Sequence, residues 1–234
     1  MNLEDVRAEL EEELTWRIEE LRFFRNRLAD LVTITEKELY SKSLVVMLYA
    51  HFEGFWKAAF TIYLSELNRL NLKAGEVAAQ IMAASMGDLF QSLNDPNKKN
   101  VFFRNTASDD TVLHRFCRQS EFAERLHDVF STNIDIPIDL ILDTESNLKP
   151  IVVQKTLFRM GFKHDEFKRD EGTVHELLRR RNDIAHGSAR HGVCIQAYNN
   201  LESAIIEIMK RVVKFIFDAL DNKRFLRTPT TSNP

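Results

Sequence analysis

The residues best suited to chemistry lie in one stretch, LLRRRNDIAHG, which runs from Leu177 to Gly187. Within it, Asn182 directly follows Arg181, and four residues separate Arg181 from His186. Histidine transfers protons near neutral pH, and arginine neutralises charge on phosphate oxygens. Together these side chains form a minimal set for breaking a phosphodiester bond without a metal ion.

The spacing alone is weak support for a catalytic pair, because the chain contains similar pairs elsewhere. Arginine also precedes histidine by five or six residues at Arg159–His164 and at Arg169–His175, with a glycine inside each interval. Within the favoured stretch, Arg179 and Arg180 also precede His186 at similar spacings. The ends and the phase of the helix that carries the motif must therefore decide which arginine is the candidate.

Capping signals predict the two ends of that helix. Thr173 and Glu176 have the spacing of a capping box at its start. Gly187 stands where a C-terminal cap belongs. The apolar stripe between these ends consists of Val174, Leu177, Leu178, Ile184 and Ala185.

Helix phase selects Arg181, which falls within this stripe, whereas Arg179 and Arg180 point away from it. A cation on an apolar face is costly unless an anion meets it. Glu53, on the most apolar helix, is one candidate partner. Alternatively, Glu53 pairs with a different basic side chain or lies at the surface of the bundle. His186 lies about 140° around the helix from Arg181, so the two side chains diverge. A single motif would hold a phosphate loosely, whereas two motifs facing each other across a two-fold axis would close a pocket around it.

Hydrophobic periodicity predicts an all-α bundle with a four-helix core and additional helices. We expect one domain over residues 1–226, followed by a disordered tail at 227–234. The segments expected before the motif are an acidic N-terminal helix at 1–35, helices at about 36–70, 75–93 and 111–130, and an irregular loop at 131–146. A helix capped by Ser146 or Asn147, with Pro150 in its first turn, should then end at Gly161, ahead of the motif helix and a long final helix.

Composition favours a soluble chain in a reducing compartment. The 234 residues include only two cysteines, Cys117 and Cys194, which suggests no disulfide framework. The N-terminal sequence is acidic and lacks the layout of a signal peptide. The most hydrophobic stretch, Leu44–Leu64, contains His51, Glu53 and Lys57, so we expect a buried helix and a cytoplasmic protein with no membrane span.

The formal net charge of −3 is unevenly distributed along the chain. Residues 1–20 carry eight acidic and two basic side chains, whereas residues 179–191 hold four arginines and one aspartate. A nuclease needs positive potential only where phosphates lie. The weak overall acidity therefore does not exclude an RNA substrate, but it argues against non-specific coating of nucleic acid.

Metal chemistry has little support in the sequence. His186, His191 and Cys194 are the candidate zinc ligands, but they run from a helix into a loop and lack paired spacing. The chain also lacks a glycine-rich phosphate loop and a serine nucleophile elbow. We therefore expect neither a metal nor another cofactor.

The sequence resembles the HEPN superfamily, most closely the small prokaryotic ribonucleases encoded beside antitoxins or in defence islands. The resemblance is carried by RNDIAHG, by YAHFEGFWKAAFTIYL at residues 49–64 and by SNLKPIVVQKTLFRMGF at 146–162. It implies a homodimer in which two motifs form one composite site for metal-independent RNA cleavage. An antitoxin or a defence protein would be a further partner.

The resemblance also implies residue roles. Arg181 and His186 become the catalytic pair and Asn182 the orienting polar residue. Apart from the resemblance, Arg180 and Glu53 are further candidates for orienting or contacting the RNA. The substrate's 2′-hydroxyl would attack the adjacent phosphate, which DNA cannot do. In HEPN toxins silenced by nucleotidyltransferase antitoxins, the modified tyrosine follows the histidine by two residues; this chain has a serine there, so that control is not expected.

Two other functions stay open at this stage. A HEPN module without catalysis would bind RNA, a nucleotide or a protein partner within a larger assembly. A structural salt bridge for Arg181 and a helix-end position for His186 would fit that interpretation. A helical scaffold whose acidic N-terminal arm docks a partner is the third interpretation.

Overall fold

The computed structural model describes residues 2–227, which form an all-α structure as predicted. The described region has no β-strand beyond two isolated bridges. Its helices are α1 (Leu3–Asn26), α2 (Ile34–Arg69), α3 (Ala79–Ser85), α4 (Gly87–Asn94), α5 (Thr111–Val129), α6 (Ile138–Ile141), α7 (Pro150–Arg159), α8 (Glu171–Ala185) and α9 (Ile195–Asp221).

Helix α2 is the centre of a four-helix core and packs against α1, α8 and α9. Its central turns are apolar on all sides, as expected for a helix surrounded by others. The largest of its fully buried side chains are Phe52, Phe55, Trp56, Phe60 and Tyr63. The predicted four-helix core is therefore confirmed, and the motif-bearing α8 rests directly on its central helix.

Helix α1 belongs to the core and is not a detached arm. Its apolar face buries Val6, Leu10 and Leu21 against the bundle. The helix ends at Asn26 and continues as a 3₁₀ turn, instead of running to residue 35. Because that face is used inside the bundle, only the acidic face of α1 can meet a partner.

A buried ion pair joins α1 to α9. Arg25 donates to the carboxylate of Glu202 at 2.5 Å, and the hydroxyl of Tyr198 donates to the same carboxylate at 3.1 Å. Glu202 is only 1% exposed, so its charge depends on these partners.

The segment between α2 and α7 differs most from expectation. The helix expected at 75–93 is broken at Met86 into α3 and α4. The loop expected at 131–146 contains α6 and is held in place, because the side chain of Asn68 bonds both the backbone N–H and the carbonyl of Ile136. Ile134 and Leu142 are buried in the same segment. Apolar burial therefore orders a region that has no regular periodicity.

The starts of α7 and α8 also differ in detail. Pro150 is in the first turn of α7 as expected, but Lys149 is the cap residue, and neither Ser146 nor Asn147 caps the helix. Helix α8 follows a 3₁₀ turn and begins at Glu171. Thr173 therefore lies inside the helix, and the predicted capping box is wrong.

The C-terminal part of the chain is described as far as Arg227. The N–H of Arg227 donates to the carbonyl of Glu76 at 2.8 Å, so the first residue of the predicted tail is bonded to the bundle. Residues 228–234, the rest of that tail, lie outside the described residues. Within the described part of the chain, no helix combines the length and apolar character needed to cross a membrane.

We predict that Arg25→Met lowers the free energy of unfolding by about 2 kcal/mol, less than for a fully buried pair because Arg25 is partly exposed. The loss arises because Glu202 keeps a buried charge with only the tyrosine as partner. Urea titration measures it. Arg22→Met is the matched control, since Arg22 is exposed on the same helix; equal losses in both variants would contradict a role for the pair.

Candidate active site

The motif helix ends where the sequence predicts. His186 is its C-terminal cap residue, and Gly187 follows with φ +73°, a left-handed conformation that favours glycine. The N–H of His186 donates to the carbonyl of Asn182 at 2.9 Å. The His186 side chain is exposed and makes no hydrogen bond within the described residues. Its imidazole is therefore open to a substrate.

Arg181 is half-buried on the opposite side of the same helix end. Its Nη1 donates to the amide oxygen of Asn147 at 2.9 Å and to that of Asn182 at 2.8 Å. The guanidinium carbon lies 4.5 Å from the centre of the Tyr49 ring, within the range of a cation–π contact. Two amide dipoles and an aromatic ring thus orient the arginine.

Arg181 forms no ion pair with a carboxylate among residues 2–227. The expected ion pair with Glu53 is absent, and Arg181 has no carboxylate within 4 Å in the described part of the chain. Its neighbours differ, because Arg179 pairs with Asp183 at 2.9 Å and Arg180 with Glu176 at 2.8 Å. Those acids stand one turn away on the outer face, whereas helix phase turns Arg181 towards α2.

Glu53 lies near a different residue of the site. It stands one turn after Tyr49 on α2, and its charge is one of the causes that raise the pKa of the Tyr49 hydroxyl to about 12; burial is the largest cause. The phenol stays neutral near pH 7. Glu53 thus lies close enough to the Tyr49 hydroxyl to affect its pKa, and it forms no ion pair with Arg181 within 4 Å.

Tyr49 and Asn147 are site residues that sequence reasoning missed. In the sequence, Tyr49 is only one member of the most hydrophobic stretch, and Asn147 is only a candidate helix cap. In the structure, the hydroxyl of Tyr49 accepts from the N–H of Leu148 at 2.8 Å, which fixes the loop that carries Asn147. These contacts join residues far apart in sequence, so no local pattern could indicate them.

The loop before Asn147 has an unusual backbone. Glu145 and Ser146 have φ values of +50° and +69°, a left-handed conformation that non-glycine residues rarely adopt. The N–H of Asn147 donates to the carbonyl of Thr144 at 2.9 Å. Such strain persists only where surrounding contacts hold it, and it clusters at functional sites. Here it brings the Asn147 amide to the guanidinium.

The candidate zinc ligands do not converge. In residues 2–227, no three histidine, cysteine, aspartate or glutamate side chains are grouped so as to hold a metal ion. Cys117 and Cys194 both carry free thiols. What the helix end does present is an oriented cation, Arg181, and an accessible imidazole, His186.

Comparison with known families identifies the fold that carries this arrangement. The sequence matches the HEPN_MAE_28990-like HEPN family over residues 6–225, which is nearly all of the described region. Neither a curated protein nor a solved structure shows significant similarity to the chain. The chain belongs to the HEPN_MAE_28990-like HEPN family.

Proposed function

We propose that this protein is a metal-independent endoribonuclease in which Arg181 and His186 are the catalytic residues. The observation that carries the proposal is that half-buried Arg181, held by amide oxygens and a ring, forms no ion pair within the described residues and shares its helix end with an exposed histidine. Keeping a half-buried guanidinium without a carboxylate is costly. The cost is explained if an anionic substrate group supplies the missing partner.

The reaction is a transesterification within the RNA. The 2′-oxygen forms a bond to the adjacent phosphorus while the bond from phosphorus to the 5′-oxygen breaks. A base removes the 2′-hydroxyl proton, an acid protonates the leaving oxygen, and Arg181 stabilises charge on the non-bridging oxygens. The products are a 2′,3′-cyclic phosphate and a 5′-hydroxyl.

The proton balance supports a homodimer. The reaction needs a base and an acid at once, whereas one helix end contributes a single His186. Two copies related by a two-fold axis would provide the second histidine and close the pocket around the phosphate. As its cellular role we propose an effector that acts as a toxin or in antiphage defence, like the HEPN ribonucleases that the sequence resembles.

We predict that His186→Ala and Arg181→Ala each lower the rate of RNA cleavage by about 100-fold or more, because they remove proton transfer and phosphate stabilisation. Single-turnover cleavage of a labelled RNA measures the rate. His175→Ala is the matched histidine control, since His175 is exposed about three turns before His186 on α8. Full activity in either site variant would overturn the assignment, provided that thermal unfolding shows a folded chain.

We predict that cleavage requires the 2′-hydroxyl and continues with EDTA present, because the nucleophile belongs to the RNA and no metal is needed. The test compares an RNA with the same sequence carrying 2′-deoxy substitutions and identifies the product ends. Cleavage of the substituted strand, or inhibition by the chelator, would contradict the mechanism. Binding of both strands with cleavage of neither would indicate a non-catalytic module.

We predict that Asn147→Asp lowers cleavage more than Asn147→Ala does. The aspartate places a carboxylate where the amide oxygen now accepts from Arg181, and the new ion pair competes with the phosphate. Thermal unfolding should show the aspartate variant to be at least as stable as the alanine variant. Asn105→Asp, at an exposed position before α5, controls for added negative charge. An aspartate variant as active as wild type would show that the uncompensated charge is not needed.

A further inference from the structure

We infer that a basic concavity beside the candidate active site binds a second RNA phosphate, next to the one that is cleaved. The concavity, called here the flanking site, is lined by residues of the last turns of α8 and of the loop that leads to α9. The inference rests on the proposed ribonuclease function and names the part of the substrate that this surface recognises.

The flanking site lies on the other side of His186 from Arg181. Arg179 and Asp183, which line it, each stand roughly 160° around α8 from Arg181. His186 is about 60° from Asp183 and about 140° from Arg181 by the same geometry. A strand that places its scissile phosphate at the helix end would therefore pass His186 and reach the flanking site with a neighbouring phosphate.

The charge of the flanking site is positive. Four basic side chains line it, and Asp183 is the one carboxylate among the lining residues. Two of the four are already paired, Arg179 with Asp183 at 2.9 Å and Arg180 with Glu176 at 2.8 Å. Arg190 and His191 are exposed and have no ion pair within the described residues. These two side chains are free to meet an anion.

The loop that carries Arg190 and His191 is held against α2. The N–H of Val193 donates to the carbonyl of Glu38 at 2.9 Å, and the Lys42 ammonium donates to the carbonyl of Ala189 at 2.6 Å. A Cβ on Gly192 would lie 2.4 Å from the Cβ of Glu38, so glycine is needed for this close approach. The loop is therefore pre-organised, which lowers the entropy cost of binding.

The size and polarity of the flanking site suit a short piece of RNA backbone. Its volume is about 270 Å³, just below the roughly 300–1,000 Å³ of pockets for drug-sized ligands. Partly buried Ile184 and Ala189 supply an apolar patch among the basic groups, which suits a ribose between two phosphates. The chemistry therefore points to one link of an RNA backbone.

The test uses the full chain with His186→Ala, which should bind RNA without cutting it, and a short single-stranded RNA as probe. Adding Arg190→Ala should weaken binding about tenfold and reduce the slope of log K against log salt by about 0.7, the value for one lost phosphate contact. Adding Arg22→Ala, an exposed arginine on α1, should change neither quantity. An unchanged affinity and slope in the Arg190 variant, or a loss of affinity that does not depend on salt, would overturn the inference.

Cleavage kinetics separate the two proposals. With His186 present, Arg190→Ala should raise KM about tenfold with little change in kcat, because the lost contact holds substrate and transition state alike. If the wild-type chain cuts RNA and this variant has an unchanged KM, the flanking site is wrong and the ribonuclease proposal stands. If the wild type cuts nothing but Arg190→Ala still weakens salt-dependent binding, the ribonuclease proposal fails and the surface remains an RNA site. Tighter binding of an acidic peptide than of RNA would assign the surface to a protein partner and overturn the inference.

Discussion

The contact of the Arg181 guanidinium with the Tyr49 ring is the interaction on which the candidate site depends. Helix α8 must bury Leu177 and Leu178 against α2, and its 3.6-residue period then carries Arg181 towards the same helix. The aromatic face and two amide oxygens accept the cation without cancelling its charge. The packing of α8 on α2 therefore also positions Arg181 in the candidate site.

Different faces of helix α8 have different roles. One face packs on α2, and the outer face carries arginines that acids one turn away already pair. His186 lies between these faces, at the point where the helix stops and the backbone turns at Gly187. The exposed imidazole therefore stands at the end of the helix, where the chain leaves α8.

Stability and function oppose each other around Asn147. The two left-handed residues before it and the unpaired guanidinium beside it each raise the free energy of the folded chain. The rest of the bundle offsets these costs through its large aromatic core and the buried pair that joins α1 to α9. This distribution is common where a rigid scaffold supports a reactive site.

The sequence by itself determined the all-α class, the central position of α2, the end of α8 at Gly187 and the choice of Arg181 among three arginines. These features depend on local periodicity, capping and helix phase, which adjacent residues specify. Only the tertiary structure decided that amide oxygens and Tyr49, not Glu53, surround Arg181, and that residues 131–146 are packed through Asn68. These contacts join residues 34, 132 and 68 positions apart, and side chains that distant meet only after the helices have packed.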